Sequence, residues 1–344
     1  LSDKFGRKIV LLWGMFGLIL GYLICILALI FNNIYIFLFA RIISGFSSGT
    51  YAVCYAVAMD HTGNELQKIQ WLKYLTLFHV AGFILGPALS SFVPDTYNSS
   101  LVLIIPFIIA SAISFINFIL IIFLYSDSKV IVRKPEQINS NLKQSILAIT
   151  FIFRQKFGGF LYGYMLFNLG LQVYIQEQSL YLMKMYNYTT KQIGVFYIII
   201  GISATVSMFI VHPRIRSRYN ATFQVKTGMF LMGFFLLMHM FLITEVRIPL
   251  SWKVVCTWAI SILVYVLDPF VALNMKRIFS DMVPNDKQGN LMGALGQIES
   301  LTTVAGTLLM SFFLYFGNNL GAGISGSILL IGFIVISFAI NTFI

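Results

Sequence analysis

Apolar runs of about 18 to 26 residues recur along the whole chain between short polar breaks, and this rhythm leaves few folds open. A helix needs roughly 20 apolar residues to cross the ~30 Å of hydrocarbon in a bilayer. The first five runs are Ile9 to Phe31, Ile34 to Met59, Tyr74 to Val93, Leu101 to Tyr125 and Phe157 to Tyr181. The other five are Ile193 to Val211, Thr227 to Thr244, Val254 to Asn274, Leu291 to Phe316 and Gly321 to Ile344. A transmembrane barrel would alternate apolar and polar residues in shorter segments. The runs here are continuous, so the predicted fold class is all-α: a polytopic membrane protein with ten transmembrane helices. Composition agrees, since only 10% of residues are charged and 58% are hydrophobic. A soluble domain carries about a quarter charged residues.

Charge then sets orientation, because Lys and Arg are retained on the cytoplasmic side of a membrane. Of the 23 basic residues, only Lys184, Lys191, Arg247 and Lys253 fall in breaks on the side opposite the rest, and Arg41 lies within a run. Both ends are therefore expected in the cytoplasm, at a bacterial inner membrane. The net charge of +11 reads as a topology signal, and nucleic acid is not an expected partner. The lipid bilayer is.

The one long polar break, residues 126–156, divides the chain into an N-terminal bundle of four spans (1–125), a cytoplasmic loop and a C-terminal bundle of six spans (157–344). A carrier built from two six-helix repeats would show six and six. Two helices are thus expected to be missing from the front, whether by a truncated record or a broken gene.

Enzyme chemistry finds no foothold. Cys25, Cys54 and Cys256 lie within runs at no paired spacing, and His61, His79, His212 and His239 are scattered. No metal, cofactor or catalytic constellation is expected. Three glycosylation sequons, at Asn98, Asn187 and Asn220, match at a frequency common by chance.

The opening residues, Leu1-Ser2-Asp3-Lys4-Phe5-Gly6-Arg7-Lys8, resemble the tail of the loop signature G-x-L-S/A-D-R/K-F/Y-G-R-R/K of the major facilitator superfamily. That signature lies between family helices two and three, so the resemblance implies that this chain carries helices three to twelve. It implies that Asp3 and Arg7, with Gly6 and Lys8 beside them, belong to a charge network latching the two halves together. Arg41-Ile42-Ile43-Ser44-Gly45-Phe46-Ser47-Ser48-Gly49 is similar to the helix-four pattern R-x-x-x-G-x-x-x-G/A, which implies a proton-coupling role for Arg41. Gly45 and Gly49 stand on its face and would let helices approach closely. Gly82 to Ser91 is similar to the helix-five antiporter signature G-x-x-x-G-P-x-x-G-G, with Gly82, Gly86 and Pro87 in place and Ser90 and Ser91 where glycines are usual. Asp60 and the stretch Pro284 to Gly293, matching P-x-x-x-Q-G-x-x-x-G, resemble tetracycline-efflux-like drug:proton antiporters.

Polar residues inside the runs must find a partner or line water, which makes each a candidate for function. Asn168, Gln172 and Gln176 repeat every four residues on one helical face, and Tyr174, Glu177 and Tyr181 share the adjacent one. Ser261, Tyr265 and Asp268 share a face of a later run; Gln297, Glu299 and Thr303 lie in the next. Arg41, Glu177, Asp268 and Glu299 are the candidates for proton coupling. Asn168, Gln172, Gln176, Tyr265 and Gln297 are the candidates for substrate binding. The function expected is alternating-access transport of a small molecule by a monomer, with protons as coupling ion and efflux as direction. A proton-coupled uptake carrier for a sugar, amino acid or siderophore, and a non-transporting relic, remain open alternatives.

Overall fold

The structure, a computed structural model, describes residues 6–47, 49–50, 53–54, 57, 71, 74–75, 77–78, 81–82, 85–86, 100–126, 158–244, 249–281, 288–315 and 321–341. Asp3, Asp60, Pro87 and residues 284–287, together with most of the expected span 74–93, lie outside them. The chain divides into two compact units, Leu1–Asn139 and Ser140–Ile344.

In the first unit, α1 (Arg7–Ile30), α2 (Ile34–Ser47) and α3 (Ser100–Leu124) follow the expected runs. Gly6 precedes α1 at φ 91° and ψ 151°, a backbone region that only glycine enters without strain. The glycine of the loop signature is therefore a conformational requirement. Lys8 reaches across the unit, its Nζ donating to the carbonyl of Ile122 at 2.8 Å near the end of α3. The α1–α2 corner is made by two asparagines. Asn32 takes a left-handed conformation (φ 48°), and the Oδ1 of Asn33 accepts from the backbone N–H groups of Tyr35 and Ile36 at the start of α2.

α1 packs on both α2 and α3. The close α1–α2 approach runs along Gly14, Gly17 and Gly21, where an added Cβ would collide with Thr50, Ser47 and Ser44. Ser44 and Ser47 turn their hydroxyls back to carbonyls one turn earlier, at 3.0 and 2.9 Å, so the polar atoms at this dry crossing are satisfied. The glycines singled out by motif behave differently. A Cβ at Gly45, Gly49, Gly82 or Gly86 meets nothing within 4 Å among the described residues.

The second unit contains α4 (Gly158–Tyr186), α5 (Thr190–Val206), α6 (His212–Arg216), α7 (Ala221–Thr244), α8 (Leu250–Asp281), α9 (Gln288–Tyr315) and α10 (Gly321–Asn341). A π-helical turn, Ser207–Val211, joins α5 to α6, so that Thr190–Arg216 is one continuous apolar segment. Pro213 accounts for the turn. Its ring would strike the carbonyl four residues back in an α-helix, and a wider turn removes that collision. The α4–α5 corner uses Asn187 at φ 52°, followed by a capping box in which Thr189 and Gln192 bond each other's backbone N–H. Two residues of the Asn187-Tyr188-Thr189 sequon thus shape a turn.

Packing runs from α9 to α4, α4 to α10, α10 to α7, α7 to α8 and α8 to α5. The buried core of this unit is aromatic and methionine-rich: Phe160, Tyr164, Phe167, Met229, Met232, Met275 and Phe279 are all nearly inaccessible. Outward faces carry Phe230, Phe234, Leu301, Val304 and Leu308 at high exposure, a surface suited to lipid and not to water. Among the described helices, five are long and apolar enough to cross a membrane: Arg7–Ile30, Leu103–Leu124, Thr190–Arg216, Ala221–Leu242 and Leu250–Phe279.

Among the described residues, the α7–α10 crossing brings backbones closest together. A Cβ at Gly326 would sit 2.8 Å from the carbonyl oxygen of Gly233 and 2.9 Å from the backbone nitrogen of Leu237, neither of which can rotate away. Gly326→Ala should therefore lower stability in detergent by about 1–3 kcal/mol, the usual scale for overpacking. Gly45→Ala, whose Cβ meets nothing within 4 Å among the described residues, should leave the thermal unfolding midpoint unchanged. Equal midpoints for the two variants would contradict this account of the crossing.

Candidate functional site

Three helices of the second unit converge on one carboxylate. Glu299 on α9 receives the hydroxyl of Tyr164 from α4 and the ammonium of Lys276 from α8, the latter at 2.8 Å, and both donors land on the same oxygen, Oε1. Asp268, one residue before Pro269 within α8, lies within electrostatic reach of Lys276, Glu299 and Tyr164.

Each side chain is held in place by its own helix and its neighbours. Tyr164 is wedged edge-on against Phe279, which also meets Phe160, so its ring has little freedom to leave. Asn168 spends its amide on the carbonyl of Tyr164 at 2.9 Å. Thr303 donates to the backbone carbonyl of Glu299 at 2.8 Å, and Thr302 shares its hydroxyl hydrogen between the carbonyls of Ile298 and Glu299 at 2.8 and 2.9 Å. Gly306 brings α9 against α4 at Gln172, where a Cβ would come within 2.8 Å of the Gln172 Cβ. The Lys276 and Glu299 side chains are 36% and 31% exposed, so this ion pair borders on open space and is not sealed into the core.

Farther along α4 lies a drier polar layer. Tyr174 and Gln178 both bond the hydroxyl of Ser261 at 2.9 Å, and Ser261 donates to the carbonyl of Thr257. Tyr181 bonds Tyr186 at 3.1 Å, Tyr186 bonds Thr257 at 2.7 Å, and His239 Nε2 bonds the same Thr257 hydroxyl at 2.9 Å. Glu177 is buried beside this layer, within electrostatic reach of Tyr174 and Tyr181. Gln178 Oε1 and His239 Nδ1 are buried with no hydrogen-bond partner among the described residues.

Of the residues expected to couple protons, Asp268 and Glu299 are brought into one cluster and Glu177 into the neighbouring layer. Arg41 lies in the other unit. It is exposed there, its guanidinium resting 5.1 Å from the ring centre of Phe37 and 5.2 Å from that of Phe107. Among the substrate candidates, Asn168, Gln172, Gln176 and Tyr265 are half-buried, with Tyr265 beside Tyr174 at 6.4 Å between ring centres, whereas Gln297 is exposed.

Sequence reasoning passed over Tyr164, Lys276, Gln178, Thr257 and His239. The signal for Gln178 was present, since it lies one residue from Glu177 in the same run. Lys276 follows the end of an apolar run beside Arg277 and reads as a cytoplasmic topology charge. Among the described residues no group of His, Cys, Asp and Glu could hold a metal ion.

The family model described as Major Facilitator Superfamily matches residues 1–307. The tetracycline resistance protein of class H from Pasteurella multocida is 25% identical over 323 residues, covering 91% of this chain and 73% of the relative. That of class D from Salmonella ordonez is 27% identical over 315 residues, covering 90% and 73%. The fold is similar to that of a crystal structure of a D-xylose-proton symporter at a TM-score of 0.72, with 13% identity, covering 97% of this chain and 81% of that one. The match extends over both units of the chain, and what such proteins do is carry small molecules across a membrane, not catalyse reactions. The all-helical fold, its long apolar helices and the family match together make this a membrane-embedded, multi-pass protein, and the chain belongs to the Major Facilitator Superfamily.

Proposed function

We propose that this protein exports a small drug-like or metabolite molecule in exchange for protons, by alternating access, as a monomer in a bacterial inner membrane. The observation that carries the reading is Glu299, a carboxylate within a helical bundle, held by a cation and a phenol from two other helices. An ionisable side chain in such a place is costly to hold even when paired, which makes it a candidate for transport by default. A carboxylate that gains and loses a proton supplies the change of charge that biases one access state over the other. Asp268 and Glu177 add two further carboxylates to the same unit, while the half-buried amides of Gln172 and Gln176 and the ring of Tyr265 offer hydrogen bonds and an aromatic face to a substrate. The relatives are named for tetracycline resistance, which outward transport of the drug would confer, so tetracycline is the first probe.

Inverted membrane vesicles from cells expressing the chain should accumulate tetracycline when a pH gradient, acid inside, is imposed, and a protonophore should abolish this. Glu299→Gln should reduce accumulation to the level of vesicles lacking the chain. Accumulation in right-side-out vesicles instead would identify an uptake carrier, and none in either orientation would identify a protein that does not transport this probe.

Orientation follows from the charge bias, with ten spans and both ends cytoplasmic. In a chain freed of Cys25, Cys54 and Cys256, a cysteine at the exposed Lys191 should react with a membrane-impermeant maleimide added to whole cells, and one at the exposed Arg218 should not. Labelling of Arg218→Cys from outside would reverse the topology.

A further inference from the structure

We infer that the corner between α6 and α7 is a docking surface for the headgroup of an anionic phospholipid, built from Arg214, Arg216 and Arg218 with Arg277 of α8 beside them. The inference concerns the bilayer around the bundle and holds whatever molecule is carried.

The corner is unusually one-sided in charge. From Ser207 to Lys226 the chain has three arginines and a lysine and no Asp or Glu. Arg214, Arg216 and Arg218 are exposed, and among the described residues none of them enters an ion pair. Arg216 and Arg277 both lie within electrostatic reach of His212, which places the α8 guanidinium near those of the corner. Arg277 meets Asp281 only loosely, at 3.8 Å, so the surface stays cationic. Guanidinium forks match the paired oxygens of a phosphate.

These charges stand at the depth of lipid headgroups. The apolar segment Thr190–Arg216 ends among them. Tyr219 and Phe223, in the turn and the first turn of α7, stack at 5.2 Å between ring centres and are each 51% exposed. Arginines beside exposed aromatic rings at the end of a span give the phosphate a counter-charge and the upper acyl chain an apolar wall. A soluble anion would use the arginines and leave the rings idle, so a lipid is the better occupant.

The surface is shaped before any lipid arrives. Gln224 Nε2 donates to the carbonyl of Tyr219 at 2.7 Å, and Asn274 of α8 donates to Gln224 Oε1 at 3.0 Å. The side-chain nitrogens of Asn274 and His212 meet at 3.2 Å. This buried network ties α6, the turn and α7 to α8, so the arginines project from a fixed backbone and less ordering accompanies binding. Retention of Lys and Arg on the cytoplasmic side needs positive charge alone, and neither the framework nor the stacked rings.

Native mass spectrometry of the whole purified chain in detergent tests this, with phosphatidylglycerol or phosphatidylethanolamine of the same acyl chains titrated in. The wild type should retain phosphatidylglycerol at about tenfold lower concentration, since each arginine adds to the attraction for an anionic headgroup. The combined variant Arg214→Gln, Arg216→Gln, Arg218→Gln should lose that preference, and replacing the same three by Lys should keep most of it. Lys184→Gln with Lys191→Gln, which removes exposed charges at the end of α4 and the start of α5, should leave it intact. Inorganic phosphate, compared with chloride at equal ionic strength, should not displace the lipid. The inference is overturned if the wild type retains both lipids equally, if inorganic phosphate displaces phosphatidylglycerol, or if the triple Gln variant keeps the preference. It is equally overturned if the Lys184 and Lys191 pair lowers the preference as far as the arginine variant does. The first two outcomes need only the wild type, so they decide the matter even where the triple variant fails to fold.

Discussion

Hydrocarbon offers no hydrogen bonds, so every polar group that a membrane bundle draws inside must be satisfied by the bundle itself. That requirement shapes this protein from its backbone outward. Runs of apolar residues become helices because a helix satisfies its own N–H and C=O groups. The interior hydroxyls of Ser44, Ser47, Thr205, Thr303 and Thr307 turn back to carbonyls of their own helices. Where side chains bond between helices, they do so as compact units, as when Ser325 on α10 donates to the carbonyl of Gly170 on α4. The Glu299 cluster obeys the same rule at higher stakes, because a carboxylate without its cation and phenol would be an uncompensated charge.

Since burying apolar surface drives little association between helices already in lipid, close contact has to come from shape. Small residues supply it at Gly14, Gly17 and Gly21 against α2, at Gly163 and Gly170 against α10, and at Gly326 against Gly233. These contacts rigidify the supporting helices: α10 lies against both α4 and α7, while Glu299 and Lys276 sit on α9 and α8. α8 and α9 touch each other only lightly among the described residues, and the ion pair is one of the bonds that spans them. The ion pair thus lies where packing is lightest among the described residues, and the tight crossings lie elsewhere.

Helix positions were legible because hydropathy over twenty residues is a one-dimensional signal, and Glu299 was legible because a carboxylate inside such a run stands out. Helix ends were less so. α8 continues past the apolar run ending at Asn274 to Asp281, since a helix extends into the polar zone where Arg277 and Asp281 pair loosely at 3.8 Å. Lys276 was missed because the same residue can be a topology charge or an ion-pair partner, and only the position of α9 decides between them. The π turn at Ser207–Val211 followed from Pro213 in principle but needed the flanking helices to continue on both sides. The small-residue motif at Gly45 and Gly49 marked a thin face, whereas the crossing seen among the described residues uses the unmarked series Gly14, Gly17 and Gly21. A motif names residue types, and the neighbour it needs belongs to the tertiary structure.

The dry layer beside Glu177 shows how completely such constraints can fix protons. Thr257 has one hydroxyl hydrogen, which goes to the carbonyl of Lys253 at 2.9 Å, so its oxygen can only accept from Tyr186 and His239. His239 must then carry its hydrogen on Nε2 and present Nδ1 as a bare lone pair. Ser261 is filled in the same way, giving its hydrogen to Thr257 and accepting from Tyr174 and Gln178. With both hydroxyls saturated, the donors of Tyr181 and Tyr186 point toward Thr257 and end there, so the chain of hydroxyls cannot pass a proton on to His239 without reversing several bonds at once. A fixed polar layer of this kind orients α4 against α8.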